Sequence, residues 1–381
     1  MKPVLTALGI ECALGSGAAV LPRALQGDTS GMTPAAGVFT DKAPPFGFVS
    51  TSLPPADGLR CNQLLSAAYA QIKDAVERAK ATYGADRIGV VIGTSNTGVE
   101  ESQGYIHEWL TTGVMPAGFR FEMLELGTSA LFLKNLADVD GPAWAVSTAC
   151  SSSAKALVSA RRLLEMDLCD AVLTGGADSF CRFALHGFDA LQSLDERLSR
   201  PMSAGRAGIN LGEGAALFLM ERTGKGPRLL GAGESSDAYH LTAPDPEGNG
   251  AKAAMTAALA DAGLSPENID FINLHGTGTG HNDAMESRAV FDVFADRVAS
   301  ASTKPLTGHT LGASGAIEAG LSWLMLCRGH GLIPHVPADD RDATLAPIRL
   351  SKGEDIPVHR ILSNSFAFGG SNAAVILGDM P

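Results

Sequence analysis

Residues 143–166 read AWAVSTACSSSAKALVSARRLLEM, a short apolar strand that runs directly into a helix of small residues. Residues 304–327 read KPLTGHTLGASGAIEAGLSWLMLC, which again places a threonine-containing turn before a small-residue helix. A helix with so little polar bulk is expected to be buried. We therefore interpret the two segments as a weak internal duplication in which each half contributes one buried central helix. Chance resemblance between two alanine-rich helices is the alternative.

Strand-like and helix-like segments alternate on both sides of these helices. Apolar runs predict strands at 87–93, 143–147, 171–177, 215–221, 228–234, 270–276, 361–368 and 373–379. Helical patterns cover 62–80, 151–166, 249–262, 283–295 and 312–327. This alternation is typical of an α/β fold. The turn GKGP at 224–227 separates the two series, so we predict one domain over residues 1–224 and a second over 225–381.

Composition narrows the class of protein. The chain has 381 residues, of which 45% are hydrophobic, and its net charge is -12. An acidic chain is a poor partner for nucleic acid, although a local basic patch could still bind an acidic protein. Six cysteines without a C-x-x-C pair are typical of free thiols in a reducing compartment. No run reaches the ~18 apolar residues of a membrane span, and the N-terminus is a poor signal peptide. We expect a cytoplasmic protein.

Cys150 lies where the strand at 143–147 gives way to the helix at 151–166. The dipole and free N–H groups at a helix N-terminus favour a thiolate. The same N–H groups can bind the oxyanion of a thioester under attack. The alternative is an inert buried cysteine.

His275 lies in the glycine-rich segment NLHGTGTG, with Thr277 and Thr279 on alternate positions after it. Glycines let a long substrate arm pass close to the backbone, and the two hydroxyls can hydrogen bond to an amide-rich arm. The spacing does not fit a dinucleotide fingerprint. A histidine satisfied by the backbone at a strand end is the alternative, and a metal site with His281 and Asp283 is a weaker one.

His309 lies in the turn before the second small-residue helix, between Lys304 and Glu318. A buried lysine needs a partner, and Glu318 is the obvious one. Such a pair would fix the turn that holds His309. An ordinary surface lysine and a solvated glutamate are the alternative.

Phe366 and Phe368 lie two residues apart in SNSFAFGGSN and share one face if the segment is extended. Gly369 and the glycine after it give the turn freedom to move. One phenylalanine could gate a pocket while a backbone N–H completes an oxyanion hole. Core packing of both rings is the alternative.

Together these motifs resemble the β-ketoacyl synthases, the condensing enzymes of the thiolase superfamily. The resemblance covers essentially the whole chain and includes PMSAGRAGINLGEGA at 201–215. It implies a thiolase fold, in which duplicated halves build a five-layered αβαβα sandwich. It also implies a decarboxylative condensation. Cys150 would carry an acyl thioester, and His275 and His309 would stabilise the enolate formed from a malonyl unit.

The resemblance implies roles for the remaining residues. Lys304 and Glu318 would support the site. The N–H groups of Cys150 and Phe368 would hold the oxyanion, with Phe368 as the gate. The expected substrate contacts are Thr277, Thr279, Phe366 and Gly369. The substrates would arrive on the phosphopantetheine of acyl carrier protein, with no other cofactor and no metal ion.

The resemblance also implies a dimer, formed with a second copy or with a ketosynthase-like paralogue. Arg60 and Arg206 are our candidates for contact with the carrier protein. Ala367 stands where family members often have glycine, and Gly280–His281 also departs from the common pattern. These departures are more similar to synthases of polyene or aryl-polyene pathways than to housekeeping enzymes.

Two other functions share this fold. A chain-length factor is a partner subunit that usually lacks the nucleophile, whereas this chain has the cysteine and both histidines. A biosynthetic thiolase acting on coenzyme A esters needs a second cysteine near the C-terminus. No cysteine follows Cys327.

Overall fold

The protein is described by a computed structural model that covers residues 2–337 and 340–379. The strands before residue 225 are β1 (Val4–Cys12), β2 (Gly15–Ser16), β3 (Met32–Pro34), β4 (Pro45–Gly47), β5 (Ile88–Gly93), β6 (Ala143–Val146), β7 (Ala171–Asp178) and β8 (Gly214–Glu221). The helices of this half are α1 (Val20–Leu25), α2 (Arg60–Tyr83), α3 (Val99–Thr112), α4 (Thr128–Ala137), α5 (Ser152–Glu165) and α6 (Arg182–Ala190).

The second half has the same kinds of elements. Its strands are β9 (Arg228–Ser236), β10 (Phe271–Asn273), β11 (Ala299–Ala301), β12 (Arg360–Ala367) and β13 (Ser371–Gly378). Its helices are α7 (Asn249–Ala262), α8 (Gly280–Phe294), α9 (Lys304–Thr307) and α10 (Ser314–Arg328). No helix in the described ranges is long and apolar enough to cross a membrane.

The two halves repeat one strand order. The first half runs β1-β8-β7-β5-β6 and the second runs β9-β13-β12-β10-β11. In both, the first two neighbouring pairs are antiparallel and the last two are parallel. A single pair, Val4 with Arg228, joins the halves through β1 and β9. Since order and direction both repeat, the internal duplication is present in the topology.

The layers follow from which helix packs on which sheet. Helices α5 and α10 contact each other between the two half-sheets, while α2 covers the outer face of the first half and α7 that of the second. A Cβ atom at Gly315 would lie only 2.9 Å from Cβ of Ala154, so the central helices approach too closely for larger side chains. The result is the predicted five-layered αβαβα sandwich.

Sequence patterns located most of these elements but not all of their bounds. The strand predicted at 270–276 ends at Asn273, and the N–H groups of His275 and Gly276 donate to Glu286 instead of to a neighbouring strand. The strand predicted at 361–368 ends at Ala367, which places Phe368 in the turn. The elements without a predicted counterpart are strands β1, β2, β3, β4 and β11 and helices α1, α3, α4, α6 and α9. The turn at 224–227 lies between β8 and β9; the domain bounds 1–224 and 225–381 stay a prediction.

Candidate active site

The turn that holds Cys150 joins β6 to α5. Cys150 lies two residues before the helix and is 6% exposed. Ala149, just before it, has a φ of 52°, a left-handed conformation that costs energy for a residue with a side chain. The hydroxyl of Ser152 accepts a hydrogen bond from the N–H of Thr148 at 2.9 Å, and that of Ser151 donates to the Thr148 carbonyl at 2.8 Å. Serines after the cysteine therefore hold the strained turn.

The Cys150 thiol is more basic than the sequence predicts. Burial raises its pKa to about 12, and this effect outweighs the lowering of the pKa by Lys304 and by hydrogen bonds from the N–H groups of Phe368 and Cys150. In the chain alone, burial therefore opposes the primed thiolate expected from the helix end and has the larger effect on the pKa. The same two N–H groups nevertheless converge on the sulfur, as the predicted oxyanion hole requires.

His309 faces the sulfur. Its Nε2 lies 3.0 Å from Cys150 Sγ, and its Nδ1 accepts a hydrogen bond from the N–H of Leu311 at 3.3 Å. In a neutral ring, that bond leaves the proton on Nε2, where it points at the sulfur. The backbone N–H of His309 donates to the carbonyl of Asn210 at 2.7 Å, which fixes the turn to the segment before β8.

His275 completes a group of three. Its ring centroid lies 5.3 Å from that of His309 with the planes at 85°, and ligand atoms of the two histidines and Cys150 all lie within 4.8 Å of one another. Glu286 accepts the backbone N–H groups of His275 and Gly276 at 2.7 and 2.6 Å. The carboxylate thus fixes the glycine-rich segment just where the chain leaves β10.

Lys304 and Glu318 form a buried ion pair, so the alternative of two solvated side chains is wrong. Nζ of Lys304 lies 2.6 Å from Oε1 of Glu318, and the side chains are 2% and 3% exposed. The ammonium group also lies 3.4 Å from Nδ1 of His275. Burial and the Lys304 charge hold the pKa of both His275 and His309 well below 6.5. Both imidazoles are therefore neutral near pH 7.

Two cavities meet at Cys150. One is a cleft lined by Cys150, both histidines, Thr277, Thr279, Phe366 and Phe368. The Thr277 and Thr279 hydroxyl oxygens lie 2.9 Å apart within it. The other cavity is mainly apolar, and Cys150 and Phe368 line it as well. Phe368 is 37% exposed, and Gly369 after it has a φ of 80° and donates its N–H to the carbonyl of Leu241 at 2.7 Å. This position suits the predicted gate.

The structure does not support a carrier-protein role for the two arginines chosen from the sequence. The Arg60 guanidinium donates two hydrogen bonds to Glu213, which is fully buried. Arg206 is paired with Asp342, and its side chain is 13% exposed. Both guanidinium groups form ion pairs within the protein, which the sequence alone could not show.

The residues of the weaker alternative, a metal site formed by His275, His281 and Asp283, do not come together either. His281 is exposed at the start of α8, whereas Asp283 is buried and accepts the N–H groups of Met202 and Gly278. The two side chains therefore do not join His275 in one cluster.

Sequence reasoning missed two buried carboxylates. Glu286 is one, and its pKa is raised to about 7 by burial. Asp178 at the end of β7 is the other; it accepts N–H groups from Ser95, Asn96 and Gly312. Glu286 follows Asp283 by three residues on α8, a spacing that puts two acids on one helix face and could have served as a signal.

A thiol, two neutral imidazoles and two converging N–H groups can accept an acyl group and stabilise developing negative charge. The fold and the site thus define an acyl-transferring enzyme with carbanion chemistry. Comparison with known proteins narrows this class. Residues 21–225 match the model of the β-ketoacyl synthase N-terminal domain, and residues 228–337 match that of the C-terminal domain. The chain belongs to the β-ketoacyl synthase family.

Individual relatives agree with this assignment. The chain is 33% identical to 3-oxoacyl-(acyl-carrier-protein) synthase 2 of Coxiella burnetii over 318 residues, 77% of this chain and 75% of that protein. A chain in the complex of the ketosynthase ApeO with its chain length factor ApeC from Xenorhabdus doucetiae is 40% identical, with a TM-score of 0.94 over 100% of this chain and 98% of that one. A β-ketoacyl synthase of Burkholderia phymatum is 28% identical, with a TM-score of 0.89 over 100% of both chains. The predicted family, fold and enzyme class are confirmed.

Proposed function

We propose that the chain catalyses the decarboxylative Claisen condensation of an acyl group, held on Cys150, with malonyl-acyl carrier protein. In the first step Sγ attacks the carbonyl of an acyl-carrier thioester. The new S–C bond forms as the bond to phosphopantetheine sulfur breaks, and the thiol proton leaves with that sulfur. The N–H groups of Cys150 and Phe368, which both bond to the Cys150 sulfur, hold the oxyanion of this step in our proposal.

The second step breaks the bond between the malonyl carboxylate and its carbon. Carbon dioxide leaves, and the electron pair moves into the thioester carbonyl to give an enolate. Neutral imidazoles suit this step, because each can donate one N–H to the enolate oxygen without first giving up a charge. Decarboxylation creates the nucleophile in place, so no strong base is needed.

In the third step the enolate carbon attacks the acyl carbonyl on Cys150. The C–C bond forms, the S–C bond breaks, and the thiolate is released with a β-ketoacyl group on the carrier. Because both partners are held in one cavity, the reaction is effectively unimolecular. The observation that carries the proposal is the convergence of the Cys150 sulfur and the two imidazoles within 4.8 Å.

The pathway is a finer proposal. We assign the chain to chain elongation of the polyene type, in which phosphopantetheine of the carrier is the only prosthetic group that takes part. Support comes from Ala367 at the gate and from the 40% identity to a chain of the ApeO–ApeC complex. Thr277 and Thr279 line the cleft where a phosphopantetheine arm would reach Cys150.

The identity of the partner subunit is a second, more specific proposal. Strand β6 is the outer strand of its half-sheet, and Trp144 on it is 37% exposed. Helix α4, which packs against β6, exposes Leu131 and Leu136, and helix α3 exposes Trp109 and Leu110. An open strand edge beside apolar side chains is typical of an interface. We propose that a ketosynthase-like paralogue covers it, since two similar structures are described as ketosynthase–chain length factor complexes.

Measuring the mass of the 39.3 kDa chain in solution tests whether it assembles with a paralogue. The chain is purified alone and co-expressed with a candidate paralogue. A stable mixed dimer is expected from co-expression. A dimer of the chain alone that does not exchange with the paralogue would contradict the assignment.

Mass spectrometry of the intact protein tests the reaction. The chain is incubated with a panel of acyl-carrier thioesters and then with malonyl-carrier. An added acyl mass that maps to Cys150 and disappears on malonyl-carrier addition is expected. The Cys150→Ala variant should show neither the added acyl mass nor any elongated product. An alanine variant that still elongates acyl chains would end the proposal.

A further inference from the structure

Cys150, His275 and His309, the Cys-His-His group, are a donor set of the kind that proteins use to bind zinc. One sulfur and two imidazole nitrogens lie within 4.8 Å of one another, and all three side chains are buried. A tetrahedral zinc ion needs such donors roughly 3.3–3.6 Å apart, given bond lengths of ~2.0 Å to nitrogen and ~2.3 Å to sulfur. The adjoining cleft leaves the fourth position open to water. Small shifts of the side chains would therefore complete a zinc site.

The surroundings of His309 are nevertheless wrong for a zinc ligand. A histidine that binds a metal through one ring nitrogen almost always donates the N–H of the other nitrogen to an acceptor. Nδ1 of His309 instead accepts a hydrogen bond from the backbone N–H of Leu311 at 3.3 Å. The ring proton is therefore on Nε2, which lies 3.0 Å from the sulfur and so has no free lone pair for a metal ion. Zinc would have to move this proton to Nδ1, where the Leu311 N–H is already directed.

His275 is opposed in the same way, here by a side chain. Nζ of Lys304 lies 3.4 Å from Nδ1 of the ring. At Nε2 a zinc ion would meet the ring proton that the ammonium group fixes there. At Nδ1 it would meet the ammonium group itself, and like charges a few ångströms apart repel strongly in a buried site. Both nitrogens of His275 are thus closed to zinc.

We propose that Lys304 and the Leu311 N–H keep zinc and similar divalent metal ions out of the Cys-His-His group. Glu318 holds the ammonium group in place at 2.6 Å. Thiolate and imidazole are ligands that zinc prefers, so without this exclusion the group would capture the ion. A captured ion would occupy the sulfur on which the proposed acyl transfer depends. The inference adds metal exclusion to the proposed function and is tested without it.

Zinc binding at pH 7, measured by competition with a chelating dye, tests the inference. Wild-type protein should bind no more zinc than Cys150→Ala, a comparison that subtracts binding at exposed groups such as Cys327. Lys304→Met/Glu318→Leu removes the ammonium group without leaving an unpaired buried charge. It should bind one further zinc ion about tenfold more tightly or better, as is typical when the hydrogen-bond partner of a ligating histidine changes. Adding Cys150→Ala to the double variant should abolish that site.

A second ion pair provides the matched control. Arg206 and Asp342 are also paired, with side chains 13% and 14% exposed, and neither residue lines the cleft. Arg206→Met/Asp342→Leu should therefore bind zinc as wild-type protein does. An equal gain of affinity in this control would show that general loosening admits the ion, and would overturn the role of Lys304.

Two other results would overturn it as well. One is zinc binding through Cys150 in wild-type protein as tight as in the double variant, and the other is no such binding in the folded double variant. Should the double variant not fold, iodoacetamide labelling of wild-type Cys150 with and without zinc decides: equal rates agree with exclusion, and protection by zinc contradicts it. None of these measurements uses an acyl donor, so their failure leaves the proposed condensation intact.

Discussion

Nζ of Lys304 lies 3.4 Å from Nδ1 of His275 inside the protein core. An ammonium group can only donate, so Nδ1 accepts, and the proton of the neutral ring lies on Nε2. Burial and this positive charge together hold the pKa of His275 well below 6.5. One buried cation thus selects both the charge state and the tautomer of the His275 imidazole, and Glu318 balances the charge of Lys304 at 2.6 Å.

Replacement of Lys304 by methionine should reduce both stability and activity. The variant leaves Glu318 buried without its cation, which costs about 3–5 kcal/mol of unfolding free energy for a buried pair. His275 also loses the donor that sets its tautomer, so malonyl decarboxylation should slow. Urea unfolding measures the first effect, and carbon dioxide release from malonyl-carrier measures the second.

The double variant Lys304→Met/Glu318→Leu is the control for this prediction. Because it buries no unpaired charge, it should recover much of the lost stability while decarboxylation stays slow. A double variant with wild-type decarboxylation would show that the pair supports the fold alone.

His335 should make the protein sensitive to mild acid. It is 1% exposed, accepts the N–H of Ser302 at 3.2 Å and contacts the carbonyl of Pro201 at 2.9 Å, and burial lowers its pKa to about 4. Between pH 6.5 and 4 the unfolded chain takes up a proton that the folded chain does not, so stability falls as pH falls. The loss should reach about 2 kcal/mol at pH 5, at 1.4 kcal/mol per pH unit.

The comparison that isolates this effect uses His335→Gln. Denaturant unfolding of both proteins is measured at several pH values from 7 to 5. The slope of the unfolding free energy against pH is then compared between the two proteins. The slope of the variant should be smaller. Parallel slopes would mean that His335 does not titrate on unfolding in this range.

Alkylation of Cys150 should rise with pH without reaching a plateau. Burial raises the pKa of this thiol to about 12, so the thiolate fraction grows about tenfold per pH unit below that value. Iodoacetamide labelling followed by peptide mass spectrometry from pH 6 to 9 measures the rate. Cys150→Ala identifies the peptide. A plateau below pH 8 would instead show the primed thiolate that the helix end suggests.

This thiol shows where sequence reasoning stops. Cys150, His275 and His309 could be found from the sequence because each lies in a short segment of small residues, a strictly local pattern. The direction of the pKa shift of Cys150 could not be predicted from the sequence. Burial and the helix end shift the pKa in opposite directions, and only the packed structure shows which effect is larger.

The fold shows the same division between local and distant information. Eight of the strands and the two central helices followed from patterns a few residues long, whereas the order of strands in the sheet was not predicted. Asp178 and Glu286 were missed because their partners are backbone N–H groups of other segments. The ion pairs of Arg60 and Arg206 could not be predicted either, because the acids that bind them, Glu213 and Asp342, are distant in sequence.

Ala367 should stiffen the gate. It pairs with Ser371 as the last rung between β12 and β13, in ordinary extended backbone with φ and ψ of -102° and 158°. The left-handed residues, Gly369 and Gly370, lie only after Phe368. Flexibility is therefore confined to one side of the ring. Ala367→Gly frees the other side and weakens the strand end by about 0.5–1 kcal/mol.

We expect this variant to let bulky reagents reach Cys150 faster. Alkylation by a bulky iodoacetamide should rise several-fold more than alkylation by iodoacetamide itself, since only the larger reagent must displace Phe368. Ala373→Gly places the same change within β13, opposite Ser365 and away from the turn, and should leave that ratio unchanged. Equal acceleration of both reagents in Ala367→Gly would indicate general loosening of the hairpin, because a gate discriminates by size.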